Sequence, residues 1–156
     1  MLPPKLLAWY PKVAISSAIL ETLVAHGKKD LNARILQLIR IQSSISVSCP
    51  FCLDMNSFEC EKIGISEEEL QGLAGRIELE QINSFSLKEK LAIQYAKLIS
   101  QTPVIVPEEF IEKVKSEFTE REIVIIVSTA AQVNYWARMI KSLGVPSAGF
   151  SDKCNI

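Results

Sequence analysis

Cys49-Pro50-Phe51-Cys52 sets two thiols three positions apart. A pair at this spacing can close into a disulfide or hold one side of a metal ion. Pro50 lacks an N–H and suits the first turn of a helix, so the motif predicts a helix start with Cys49 as N-cap and Cys52 as the third helical residue. At that position unpaired backbone N–H groups and the positive end of the helix dipole favour the thiolate. The thiolate is the form that attacks disulfides and peroxides. A second thiol one turn on can resolve the mixed disulfide or sulfenic acid that results. The N-cap argument favours Cys49 as the attacking thiol, but the roles can be reversed and the spacing leaves them open.

Few other side chains can join this chemistry. The one histidine, His26, stands far upstream beside Gly27 and reads as a helix C-terminal cap. Asp54 reads as a solvated helix residue. Asn56, one turn beyond Cys52, can reach back towards it. An amide orients a thiol or a water but does not accept a proton at neutral pH. A zinc site would recruit Cys49, Cys52, Cys60 and either His26 or Cys154, yet no second close ligand pair accompanies the first. Cys60 reads as core packing, and neither a metal nor a cofactor is expected.

The 156 residues suit one domain, 1–156, with its own core. Seventeen basic and eighteen acidic residues leave a net charge of -1. That balance offers nothing to a nucleic-acid backbone or an anionic membrane surface. The first residues lack the apolar run and cleavage site of a signal peptide. The run Ile123–Val127 is shorter than the roughly 20 residues that cross a bilayer. A cytoplasmic protein is expected, in which a CxxC is redox-active or metal-binding rather than a structural staple.

The elements that must position the thiols are helical. Ile15, Ala18, Ile19, Leu23 and Val24 recur at helical spacing and predict a helix over 13–26, closed by Gly27. Asp30 is placed to cap a second helix with Leu31, Ile35, Leu38 and Ile39 on one side, running towards a serine-rich end at Ser48. The thiol helix should continue to about Ile63 and stop at Gly64. Ser66/Glu69, Ser86/Glu89 and Thr119/Glu122 are capping boxes that open three more helices. Pro107 starts another, after an extended link from Pro103. The helix after Thr119 should be the longest, reaching about Ser142 before Gly144 and Pro146. This gives about seven helices and no firm strand: an all-α domain with a CxxC at a helix N-terminus.

The CxxC, the run Ile63-Gly64-Ile65-Ser66, Phe85-Ser86 with Leu91–Ala96, and Phe118–Glu122 leading to Asn134 and Arg138 together resemble the carboxymuconolactone decarboxylase/alkylhydroperoxidase-D-like family. The likeness is collinear over about residues 30–145. It implies an AhpD-like helical fold, catalytic Cys49 and Cys52, a peroxide or disulfide substrate, a dithiol reductant, and a homo-oligomer, trimer or hexamer. Trp9, Tyr10, Tyr135 and Trp136 are the aromatics that could cover an interface. In the peroxidase members a glutamate twelve residues before the first cysteine and a histidine four after the second complete a proton relay. Those positions here are Gln37 and Asn56. The lactone decarboxylase branch fits less well, because the thiol pair is what this chain keeps. The expected function is therefore a thiol–disulfide oxidoreductase or peroxide reductase with reduced activity. The alternative is a non-catalytic binding or assembly protein that kept the fold. A thioredoxin-like protein, with Thr102-Pro103 as its cis-proline loop, would need a strand feeding the CxxC where the segment 30–41 reads helical.

Overall fold

A computed structural model describes residues 5, 7–24, 26–27, 29–58, 60–147 and 149–150. Among them the chain forms seven α-helices and no strand: α1 Pro11–Val24, α2 Ala33–Ser46, α3 Pro50–Ser57, α4 Glu67–Leu73, α5 Leu87–Ile99, α6 Glu108–Glu117 and α7 Glu120–Ser142. The thioredoxin-like alternative falls with the missing strands, although the Thr102–Pro103 peptide is cis. The sequence expectation of an all-α domain holds, and so do the three capping boxes. In each, the Ser or Thr side chain accepts the N3 backbone N–H while the N3 glutamate accepts the cap N–H. Cys154 lies outside the described residues.

Helix α2 is the centre of the molecule. It packs on α3, α4, α5 and α7, and Ile35, Leu36, Leu38, Ile39 and Ile41 are all buried. One core cluster joins α2 to α5, α6 and α7 through Leu36, Ile39, Tyr95, Val114, Phe118 and Ile126. A second joins α2 to α4 and α5 through Leu38, Ile41, Leu70, Ile82 and Ile93, and it contains Cys60, the packing residue expected. Gly72 of α4 lies against the Ile82 side chain, which a Cβ there would push aside.

The sequence left open which way α1 faces, and three local expectations need correction. The apolar residues Ile15, Ile19 and Leu23 of α1 face outward, and Ser17 is the helix's buried residue. Periodicity found the helix but could not tell an inward stripe from an outward one. Asn32, not Asp30, caps α2, its Oδ1 accepting the Arg34 N–H at 2.8 Å. Asp30 instead accepts the Gly27 N–H and pairs with Arg121 at 2.9 Å. The thiol helix ends at Ser57, and a 3₁₀ turn, Glu61–Ile63, covers the remaining distance to Gly64. Finally, α7 as a whole is long and apolar enough to cross a membrane, unlike the short run judged on its own. Ile125, Ile126, Thr129, Ala130, Val133, Ala137 and Ile140 of that helix are nevertheless buried in the protein.

Arg34 ties α2 to the start of two helices. Its Nη2 donates to Glu69 at 2.5 Å and its Nε to Glu89 at 2.7 Å. Both carboxylates are the N3 residues of their capping boxes, so one guanidinium braces the N-termini of α4 and α5. Burial alone would raise the Glu69 carboxyl. Hydrogen bonds from Ser84, the Ser66 N–H and Arg34 outweigh it and hold the group below its ordinary value. A carboxyl lowered on folding stabilises above its unfolded pKa, and that contribution is lost as pH falls through the folded value. Wild-type stability should therefore fall below about pH 4.5, the ordinary value. Glu69→Gln should flatten that acid limb while lowering stability at neutral pH by about 1–3 kcal/mol, as read from urea midpoints across pH.

Candidate functional site

The thiol pair is built at a junction between helices. At the end of α2 the Ser48 N–H donates to the Ile45 carbonyl at 2.9 Å and the Cys49 N–H to the Ser44 carbonyl at 3.1 Å. This crossed pair is a Schellman closure, which needs a left-handed residue at its corner. Ser48 supplies it with φ 50°. The next residue, Cys49, already caps α3. Its Sγ accepts the Cys52 N–H at 3.3 Å, and Pro50 occupies the first turn. The predicted N-cap and third-residue positions of the two cysteines are both observed.

Cys49 and Cys52 are joined in a disulfide. The pair packs with Phe51 against Ala137 and Ile140 of α7. The two cysteines differ in their surroundings. Cys49 is 1% exposed and Cys52 5%, and only Cys52 lines a cleft of about 350 Å³. Phe51, Met55, Val133, Trp136 and Ile140 form its apolar wall, and Glu21, Arg40, Asn56 and Gln132 its polar groups.

The two relay positions come together, but as a static brace. The Gln37 amide donates to the backbone carbonyl of Asn56. The Asn56 side chain lines the cleft and donates to Ser44 Oγ at 3.0 Å, which in turn donates to the Arg40 carbonyl at 2.8 Å. A glutamate at position 37 could not make the first bond unless protonated, since a carboxylate has no donor for a carbonyl. The amides therefore suit each other's surroundings. Asp54 is not solvated as expected: it is buried, and its carboxylate accepts the Ser147 hydroxyl at 2.8 Å. His26 bonds Ser128 Oγ at 2.7 Å and does not line the cleft. No cluster of three metal-ligating side chains exists among the described residues, so the zinc set does not converge.

Sequence reasoning missed the charged groups of the cleft. Glu21 reaches it from α1, held through Oε2 by Trp136 Nε1 at 2.7 Å and Gln132 Nε2 at 2.9 Å. Tyr135 meets Ser17 at 2.7 Å beside it, so Tyr135 and Trp136 fasten α1 to α7. Arg40 is half-buried, with Nη2 donating to the His26 carbonyl at 2.8 Å. Burial pushes its guanidinium below its ordinary pKa, and the field of Glu21 opposes that shift. The signal for Arg40 was in the chain: it is the one cation inside the otherwise buried run Ile35–Ile41. Asn134 and Arg138 lie elsewhere, bonding Ser100 and Thr102 and so pinning the link after α5.

No family model matches the chain. It is 28% identical over 118 residues to the uncharacterized protein YdfG of Bacillus subtilis strain 168, covering 75% of this chain and 78% of that protein. Among solved structures, a protein of unknown function from Agrobacterium tumefaciens, described as a candidate antioxidant-defence protein AhpD, superposes with a TM-score of 0.77. The two are 21% identical, and the match covers 90% of this chain and 94% of that one. The debrominase Bmp8 in complex with 2,3,4-tribromopyrrole superposes with a TM-score of 0.78 at 14% identity, over 92% of this chain and 75% of its own.

A left-handed serine costs about 1 kcal/mol that glycine does not. Ser48→Gly should therefore raise the unfolding free energy by about 0.5–1 kcal/mol in urea titration while leaving the disulfide able to form.

Proposed function

We propose that this chain, AhpD-like in fold, is a dithiol–disulfide oxidoreductase that reduces a peroxide or a small disulfide through Cys49 and Cys52. The observation that carries the reading is the bonded pair at the start of α3, with one of its cysteines, Cys52, lining a cleft. Access favours Cys52 as the attacking thiol, against the N-cap argument for Cys49. With a peroxide, the Cys52 thiolate attacks the outer oxygen and the O–O bond breaks. The leaving alkoxide takes up the proton released by the thiol, and Cys52 becomes a sulfenic acid. The Cys49 thiol then attacks that sulfur, water leaves, and the disulfide closes. An external dithiol restores both thiols by exchange.

Activity below that of a full relay belongs to the same proposal. Gln37 and Asn56 supply hydrogen bonds where proton transfer would otherwise contribute about 10²–10⁴-fold. These amides also support a second reading, a binding or assembly protein without turnover. Self-association suits either reading, because Ile15, Ile19 and Leu23 form an exposed apolar row along α1.

Peroxide consumption with a dithiol donor tests the proposal. Cys49→Ser and Cys52→Ser should each abolish turnover, and turnover surviving in the double variant would sink it. Asn56→His, with Gln37 kept to hold the Asn56-position carbonyl, should raise the rate by about tenfold or more. No peroxide consumption by the wild type, together with thiols titrating near the ordinary value of about 8.5, would favour the binding protein.

A further inference from the structure

We propose that the cleft beside Cys52 binds an organic carboxylate, with its apolar body on the Phe51–Trp136 wall and its carboxylate on the Arg40 guanidinium. The inference rests on reading this cleft as the substrate site and narrows the substrate to an acid-bearing molecule.

None of the ion pairs among the described residues involves Arg40. Its Nη2 is used on the His26 carbonyl, and no hydrogen bond to its Nε or Nη1 is found among those residues. A half-buried guanidinium with unused donors is costly unless something supplies the acceptors. Guanidinium also has the planar fork that matches a carboxylate's two oxygens.

Glu21 does not fill that need. It shares the cleft but lies outside ion-pair distance of Arg40, and its Oε2 is committed to Trp136 and Gln132. Its field reduces the attraction for an anion without replacing the missing contact. Apart from Asn56 and Gln132, the remaining lining is Cys52 and the apolar Phe51 and Met55 from α3 and Val133, Trp136 and Ile140 from α7. A neutral hydrocarbon would leave Arg40 unsatisfied, and an inorganic anion would leave the apolar wall wet. An apolar acid satisfies both, and it brings its body beside Cys52, the cysteine that lines the cleft.

Binding can be measured without turnover. The probes are 4-isopropylbenzoate and its neutral isostere 4-isopropylbenzamide, both inert to thiols, added to the oxidised protein. Calorimetry gives affinity, and Trp136 emission in a Trp9→Phe background reports occupancy of the cleft. The wild type should prefer the carboxylate by about tenfold or more. In Arg40→Met the ratio should fall to about one, and Arg40→Lys should keep part of it, since lysine retains the charge and loses the fork. Equal affinity for the two probes, binding of neither, or a preference that survives Arg40→Met would overturn the proposal. The wild-type comparison decides even if a variant does not fold. Because no redox step is involved, its failure leaves the dithiol reading standing, and failed peroxide turnover leaves the binding result intact.

Discussion

Cys49 belongs to two helices at once. Its backbone N–H completes the closure of α2, and its sulfur accepts the first bond of α3. Helix ends leave backbone groups that must find partners, and here a single residue serves both ends with no loop between them. The thiols therefore sit at a position fixed by the central helix of the molecule. Moving Cys49 would remove its N–H from the Ser44 carbonyl and so open the closure of α2.

The same economy runs through the scaffold. Arg34 holds the starts of α4 and α5 through carboxylates that already complete their capping boxes. Those glutamates act locally as helix starts and globally as links, which makes α2 the common support of both the site and the fold. Ser44 is comparable on a smaller scale: its carbonyl receives Cys49, and its hydroxyl receives Asn56.

Much of this was legible in the chain. Capping boxes and Pro50 carry short-range chemistry that is written in adjacent residues, and they located helix starts and the thiols' place on α3. What escaped depended on distant residues. Asp54 looked like an exposed helix carboxylate because its partner, Ser147, arrives from the other end of the chain. The outward stripe of α1 carried the correct period for either direction. Glu21 and Arg40 meet in the cleft through α1 and α2, and no local motif joins them. The Gln37 and Asn56 positions were readable as amides, but their mutual brace required the fold.

The cleft's walls are not equally anchored. Its floor is α2 and α3, which share one closure and lie on the core. From α1 the cleft receives Glu21, and that helix buries Ser17 and is tied to α7 by Ser17–Tyr135 and by Glu21 with Gln132 and Trp136. Elements with little buried apolar surface open at lower free energy than the core they cover. The cysteines thus stand on a helix packed against α7, while Glu21, the cleft residue that α1 supplies, is held by polar bonds to Gln132 and Trp136.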